Sequence, residues 1–198
     1  MTHMFIDQQP SIDEQLNTLH ESLEFVLVPG LNDSGPDHWQ SIWHARFPNW
    51  KRVSQTRWST PDIDGWLAAI NRTLEECTRP AILIGHSLGA LASYNAAFCH
   101  DRRISGVFLV APAEPMRFEL EHRVYPLPLN VPSVVVASHD DPLMAFDRAE
   151  AWAHHWGSDL VDVGFAGHIN AESGFGPWPY GLNVLYRFAE KLAGLCPI

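Results

Sequence analysis

Six short apolar runs rich in β-branched residues punctuate this sequence at intervals long enough to hold a helix, and that alternation constrains the fold more than any other feature. The runs cover residues 25–28, 51–55, 81–84, 107–111, 133–138 and 160–163. Most are near-continuously apolar, the pattern of strands covered on both faces rather than one. Between them, residues 37–46, 62–77, 88–99, 145–156 and 180–193 repeat apolar side chains three and four apart, as in Ile63, Trp66, Leu67, Ile70 and Leu74. A parallel strand pair needs a helix to return the chain. The pattern therefore predicts an α/β fold with about six mostly parallel strands flanked by helices.

Two stretches break the rhythm. Residues 112–132 contain Pro112, Pro115, Pro126, Pro128 and Pro132, which predicts a loop with at most a short helix near Arg117. Residues 1–22 are polar and are expected to form an N-terminal extension, in which Ser11 and Glu14 make a capping box for a short helix. The remaining residues, 23–198, are expected to form one domain: 198 residues leave room for one sizeable core, and no internal repeat or low-complexity linker divides them.

Composition narrows the class of partner. A 46% hydrophobic and 18% charged chain does not have the makeup of a disordered protein. Its formal net charge of -10 repels phosphate backbones and anionic lipid surfaces, so neither nucleic acid nor membrane is an expected partner. The longest apolar runs, such as 107–113, fall far short of the roughly 20 residues of a membrane span. Residues 1–17 carry Asp7, Asp13 and Glu14 and have no basic start or apolar stretch, so no export signal is expected. Cys77, Cys99 and Cys196 are widely spaced and odd in number, which suits reduced packing thiols in a cytoplasmic protein.

The chemistry centres on Gly85-His86-Ser87-Leu88-Gly89, which matches G-x-S-x-G directly after the run 81–84 and opens the helical stretch from residue 88. A serine on such a strand-to-helix turn projects at the carboxyl edge of the sheet, with flanking glycines letting helix and strand pass close to it. Its hydroxyl is a poor nucleophile until a histidine removes the proton and a carboxylate orients that histidine. Both have candidates downstream. The fifth run leads into Ser138-His139-Asp140-Asp141-Pro142, and the sixth into Gly164-Phe165-Ala166-Gly167-His168, so a Ser, Asp, His order at one sheet edge is available, as in α/β hydrolases. Asp140 and Asp141 could also be only turn formers before proline. Backbone N–H groups of Leu88 and of Leu31 or Asn32, after Gly30, are candidates for the oxyanion hole. His86 and Gly30 are candidates for substrate contact.

Several stretches also resemble the small serine hydrolases of the retinoblastoma-binding-protein-nine and YdeN type, α/β hydrolases with little or no cap. They are Val28-Pro29-Gly30 with His38-Trp39, residues 58–61 with Trp66-Leu67, residues 85–89, Val110-Ala111-Pro112-Ala113, residues 137–142, and residues 167–174. The resemblance implies Ser87 as nucleophile, His168 as general base and, between the two acids, Asp141, the one directly before proline. It says nothing about residues 1–22. The expected activity is that of a carboxylesterase-like serine hydrolase on a small acyl substrate, ester or amide, with neither a metal nor an organic cofactor. Two alternatives use the same fold: a binding module with weak or no catalysis, and an acyltransferase. His154 and His155, adjacent on a predicted helix, diverge too far to share a metal. Most of Trp39, Trp43, Trp58 and Trp66 are expected to pack in the core.

Overall fold

In the computed structural model, which describes residues 10–99 and 102–195, the six apolar runs become strands of one parallel sheet. They are β1 (Glu24–Val28), β2 (Lys51–Arg52), β3 (Ala81–His86), β4 (Ile104–Val110), β5 (Ser133–Ala137) and β6 (Asp159–Asp162), in the spatial order β2-β1-β3-β4-β5-β6. Neighbouring strands are all parallel, with Val26 opposite Leu83 and Leu109 opposite Val135 as representative partners. Successive residues of a strand point to opposite faces, and here both faces are dry. Val26, Leu83, Val107, Leu109 and Val135 pack on one side; Phe25, Leu27, Ile82, Ile84, Phe108 and Val136 pack on the other.

Six helices cover these faces: α1 (Ile12–Leu19), α2 (Trp39–Arg46), α3 (Ile63–Glu75), α4 (Leu88–Phe98), α5 (Phe146–Trp156) and α6 (Pro179–Leu195). Buried residues of α3, α4 and α5 join the first face, and those of α1, α2 and α6 the second. Helix α4 is buried from Leu88 to Ala97 without a polar stripe, because it lies against β3 and β4 beneath α3. Helix ends follow local chemistry. Asp62 accepts the N–H of Gly65 at the start of α3, and α5 stops at Gly157, whose φ of 67° favours glycine.

The departures from the sequence pattern have physical causes. Strand β2 ends at Arg52 rather than residue 55, because an edge strand has one neighbour and pairs with β1 only. Residues 112–132 contain two 3-10 turns, Pro115–Phe118 and Glu121–Arg123, held down by buried Leu120 and Val124. Within the expected extension, residues 1–9 lie outside the described residues. The capping box at Ser11 and Glu14 forms, and α1 packs on α6 with Leu16 fully buried. Cys77 is half-buried, but Cys99 is exposed rather than packed, because it sits where α4 leaves the core; Cys196 lies outside the described residues. Among the described residues no helix is long and apolar enough to cross a membrane.

The strand order reverses between β1 and β3: from β1 the chain winds one way to β2, and from β3 the other way through β4 to β6. At such a switch point the loops after the two strands diverge and leave a crevice at the carboxyl edge.

Candidate active site

The two loops bordering that crevice are 29–35 after β1 and the turn at Ser87 after β3. Ser87 has φ 55° and ψ -121°, a strained conformation that turns the chain sharply from β3 into α4. It is held there by its N–H, donated to the Val110 carbonyl, and by its own carbonyl, which accepts from Ala90 and Ala113. The turn is tight enough that a Cβ on Gly89 would collide with the carbonyl oxygens of Val28 and Pro29, and one on Gly30 would lie 2.9 Å from the Ser87 Cβ. Glycine at these two positions is what lets β1, its loop and α4 converge on the serine.

A cavity of about 340 Å³ occupies the crevice, lined among others by Gly30, Leu31, Asn32, His38, His86, Ser87 and His168. Phe118 from the proline-rich segment and Leu143 close its sides. Ser87 and His168 both line this cavity and are each 7% exposed. The Ser87 hydroxyl has no hydrogen-bond partner among the described residues. Catalytic hydrogen bonds commonly tighten only when substrate is bound.

His168 reaches the cavity from the loop after β6. Its Nδ1 lies 2.9 and 3.0 Å from the two carboxylate oxygens of Asp141, in the loop after β5. That carboxylate also accepts the Leu143 N–H at 2.8 Å. A carboxylate can only accept, so the His168 proton is assigned to Nδ1, leaving Nε2 with a free lone pair. Asp140 has a different set of partners: the Ser138 hydroxyl and the Gly167 N–H donate to it, both at 2.7 Å. These bonds hold its carboxyl below the usual range and tie the loop after β5 to the loop bearing His168. Ser138 adds a second tie by accepting the Ala166 N–H.

The oxyanion candidates separate by their hydrogen bonds. The Asn32 N–H is donated to the Trp58 carbonyl at 2.8 Å and is therefore spent. The N–H groups of Leu31 and Leu88 have no backbone acceptor among the described residues, and Leu88 opens α4, where helix N–H groups are unpaired by construction of the helix. His86 lines the cavity but also faces inward: its Nε2 donates to the His168 carbonyl at 2.9 Å. Burial holds its pKa well below the ordinary value. The rings of His38, His86 and His168 form a row, with centroids 4.7 and 4.8 Å apart. Among the described residues no three His, Cys, Asp or Glu side chains are grouped to hold a metal ion.

Residues without an obvious catalytic signature hold these loops in place. Gln40, fully buried at the start of α2, donates to the carbonyls of Val28 and Ile84 and accepts from the Ser34 hydroxyl. It thereby clamps the end of β1 to the end of β3. The indole N–H of Trp39 bonds Ile169 O, that of Trp43 bonds Pro177 O, and that of Trp66 bonds Pro29 O. Three of the tryptophans expected mostly as core therefore also anchor the loops around the cavity.

The serine hydrolase family model matches residues 25–187 of this chain. A crystal structure from Pectobacterium atrosepticum, described as a YdeN-like hydrolase, is 56% identical, covers 91% of this chain and 98% of its own, and superposes with a TM-score of 0.90. The ydeN gene product of Bacillus subtilis is 19% identical over 85% of this chain and 99% of its own, with a TM-score of 0.71. Est1E of Butyrivibrio proteoclasticus, solved with ferulic acid bound, shares the fold at 11% identity, 86% and 87% coverage and a TM-score of 0.59. No curated protein matches the chain.

Proposed function

The chain belongs to the serine hydrolase family, and on that premise we propose that it cleaves small esters through an acyl-enzyme on Ser87. The observation that carries this reading is the Asp141 carboxylate on His168 Nδ1, at 2.9 and 3.0 Å, with His168 and Ser87 lining one cavity. His168 Nε2 takes the Ser87 proton as the hydroxyl oxygen attacks the carbonyl carbon, then gives it to the departing alcohol. Water, deprotonated by the same nitrogen, attacks the acyl carbon; the bond to Ser87 Oγ then breaks, Oγ regains the proton from Nε2, and the acid is released. Asp141 keeps the imidazole in the Nδ1–H tautomer and stabilises the imidazolium formed at each step.

The tetrahedral oxygen is held by the N–H groups of Leu88 and Leu31. The first sits at the positive end of α4, and neither spends its hydrogen on the protein backbone. His86 is a positioning residue, since its bond to the His168 carbonyl fixes the backbone that carries the general base. The limited cavity favours small or medium acyl groups. The test is stopped-flow hydrolysis of p-nitrophenyl butyrate: wild type is expected to release a burst of one p-nitrophenolate per active site or to turn over steadily, and Ser87→Ala neither. Equal turnover by Ser87→Ala would overturn the assignment.

A further inference from the structure

His38 stands in the wall of the same cavity with a hydrogen-bond donor that none of the described residues uses. It caps α2 with its own ring, Nδ1 accepting the Gln40 N–H at 3.2 Å. A neutral imidazole that accepts at Nδ1 carries its proton on Nε2. The ring is neutral near pH 7 because burial, with Arg52 and His168 nearby, lowers its pKa to about 4. The residue is 6% exposed, and Nε2 is buried without a hydrogen-bond partner among the described residues. Unpaired buried donors are costly and uncommon in folded proteins; His38 lines the cavity, where a ligand oxygen that reaches the covered Nε2 would supply the missing acceptor.

The neighbouring charges select the kind of acceptor. Asp33 is paired with Arg52 at 2.6 Å. Glu172, exposed at the cavity, has no ion pair among the described residues. An anionic group would meet the Glu172 carboxylate, while the charge of Arg52 is already taken up by Asp33, so a neutral oxygen fits better. We propose that His38 Nε2–H is a specificity-determining donor that binds an ether, hydroxyl or second carbonyl oxygen of the substrate, apart from the scissile carbonyl. This rests on the hydrolase reading above and narrows its substrate class to oxygenated esters.

Two substitutions divide the ring's two roles. His38→Asn keeps an acceptor near Nδ1 for the Gln40 N–H but removes the Nε2 donor, whereas His38→Gln keeps an N–H near Nε2 and gives up the cap. Each is assayed on two isosteric pairs: p-nitrophenyl methoxyacetate against butyrate for the acyl side, and 2-methoxyethyl acetate against butyl acetate for the alcohol side. The ratio of kcat/KM within a pair, compared with wild type, cancels intrinsic reactivity. In one pair His38→Asn is expected to lower the ratio roughly tenfold, the worth of about one hydrogen bond, with an unchanged melting temperature. His38→Gln is expected to keep most of the ratio while melting lower. Unchanged ratios in both pairs for His38→Asn would overturn the inference, as would an equal loss on all four esters, which would put His38 on the scissile carbonyl. Failure of wild type to react with any ester, or with a fluorophosphonate at Ser87, would instead refute the hydrolase reading and the inference with it.

Discussion

Replacing Gln40 by methionine removes one buried amide while keeping an unbranched side chain of similar volume, so no large cavity or overpacking confounds the result. Three hydrogen bonds are lost: two donated to Val28 O and Ile84 O at 3.2 and 3.0 Å, and one accepted from the Ser34 hydroxyl at 2.7 Å. At about 1 kcal/mol each, with the partners left buried, the loss is about 3 kcal/mol. For a domain of this size that lowers the melting temperature by roughly 6–12 °C. The clamp joins the strand end before the Leu31 loop to the strand that leads into Ser87, so kcat on p-nitrophenyl butyrate should fall as well, roughly tenfold or more, because displaced donors lose their grip on the oxyanion. Urea unfolding followed by tryptophan fluorescence, together with initial rates well below the transition, measures both. A stability change under about 1 kcal/mol with wild-type kcat would refute the clamp.

Other expectations concern the acids, the turn, the buried imidazoles and the loop anchors. Asp141→Asn should reduce kcat by roughly 10³–10⁴-fold by disfavouring the Nδ1–H tautomer, while Asp140→Asn, which loosens the His168 loop, should cost far less in the same ester assay. Gly89→Ala should fold poorly and melt well below wild type in a circular-dichroism scan, since the added methyl meets backbone carbonyls that cannot yield. His38 and His86 have folded pKa values below the unfolded 6.5, so the unfolded chain binds more protons than the native one between those values. Stability is therefore full above about pH 6.5 and declines as pH falls toward 4, by up to about 1.4 kcal/mol per pH unit per histidine; urea titrations at pH 7, 6 and 5 should show the decline, and His38→Asn should flatten it. Trp39→Phe loses the bond to Ile169 O and leaves part of a fully buried indole's volume unfilled, which together should cost about 2 kcal/mol or more and a measurable part of kcat.

The strands were legible because both faces of the sheet are covered: apolar runs such as 81–84 and 107–111 have no polar alternation to confuse them with surface. Helix α3 was legible for the opposite reason, since its one buried face repeats at Ile63, Trp66, Ile70 and Leu74. Propensity extends the edge strand β2 to residue 55, whereas its bonding to β1 ends with the Val53 N–H on Leu27 O. Gly85 to Gly89 could be read as a turn because its constraint is local. Choosing between Asp140 and Asp141 depended on resemblance, for both follow a strand end and both suit a turn; what differs is that one carboxylate meets His168 and the other meets Ser138 and Gly167. Gln40 and the indole anchors left no trace in the pattern. Trp39 bonds a carbonyl 130 residues away, and no periodicity records a contact of that span. In the sequence His38 stands out only as part of a family-like pair, and that its Nε2 has no partner among the described residues is visible only in the folded chain.

Every step proposed for this site depends on activation of Ser87 by the His168–Asp141 pair. Intact-mass analysis after treatment with a fluorophosphonate tests it most directly, on wild type, Ser87→Ala and Asp141→Asn. One adduct on wild type, none on Ser87→Ala and slow labelling of Asp141→Asn is the expected pattern. An unlabelled wild type that is well folded, or equal labelling of Ser87→Ala, would contradict it.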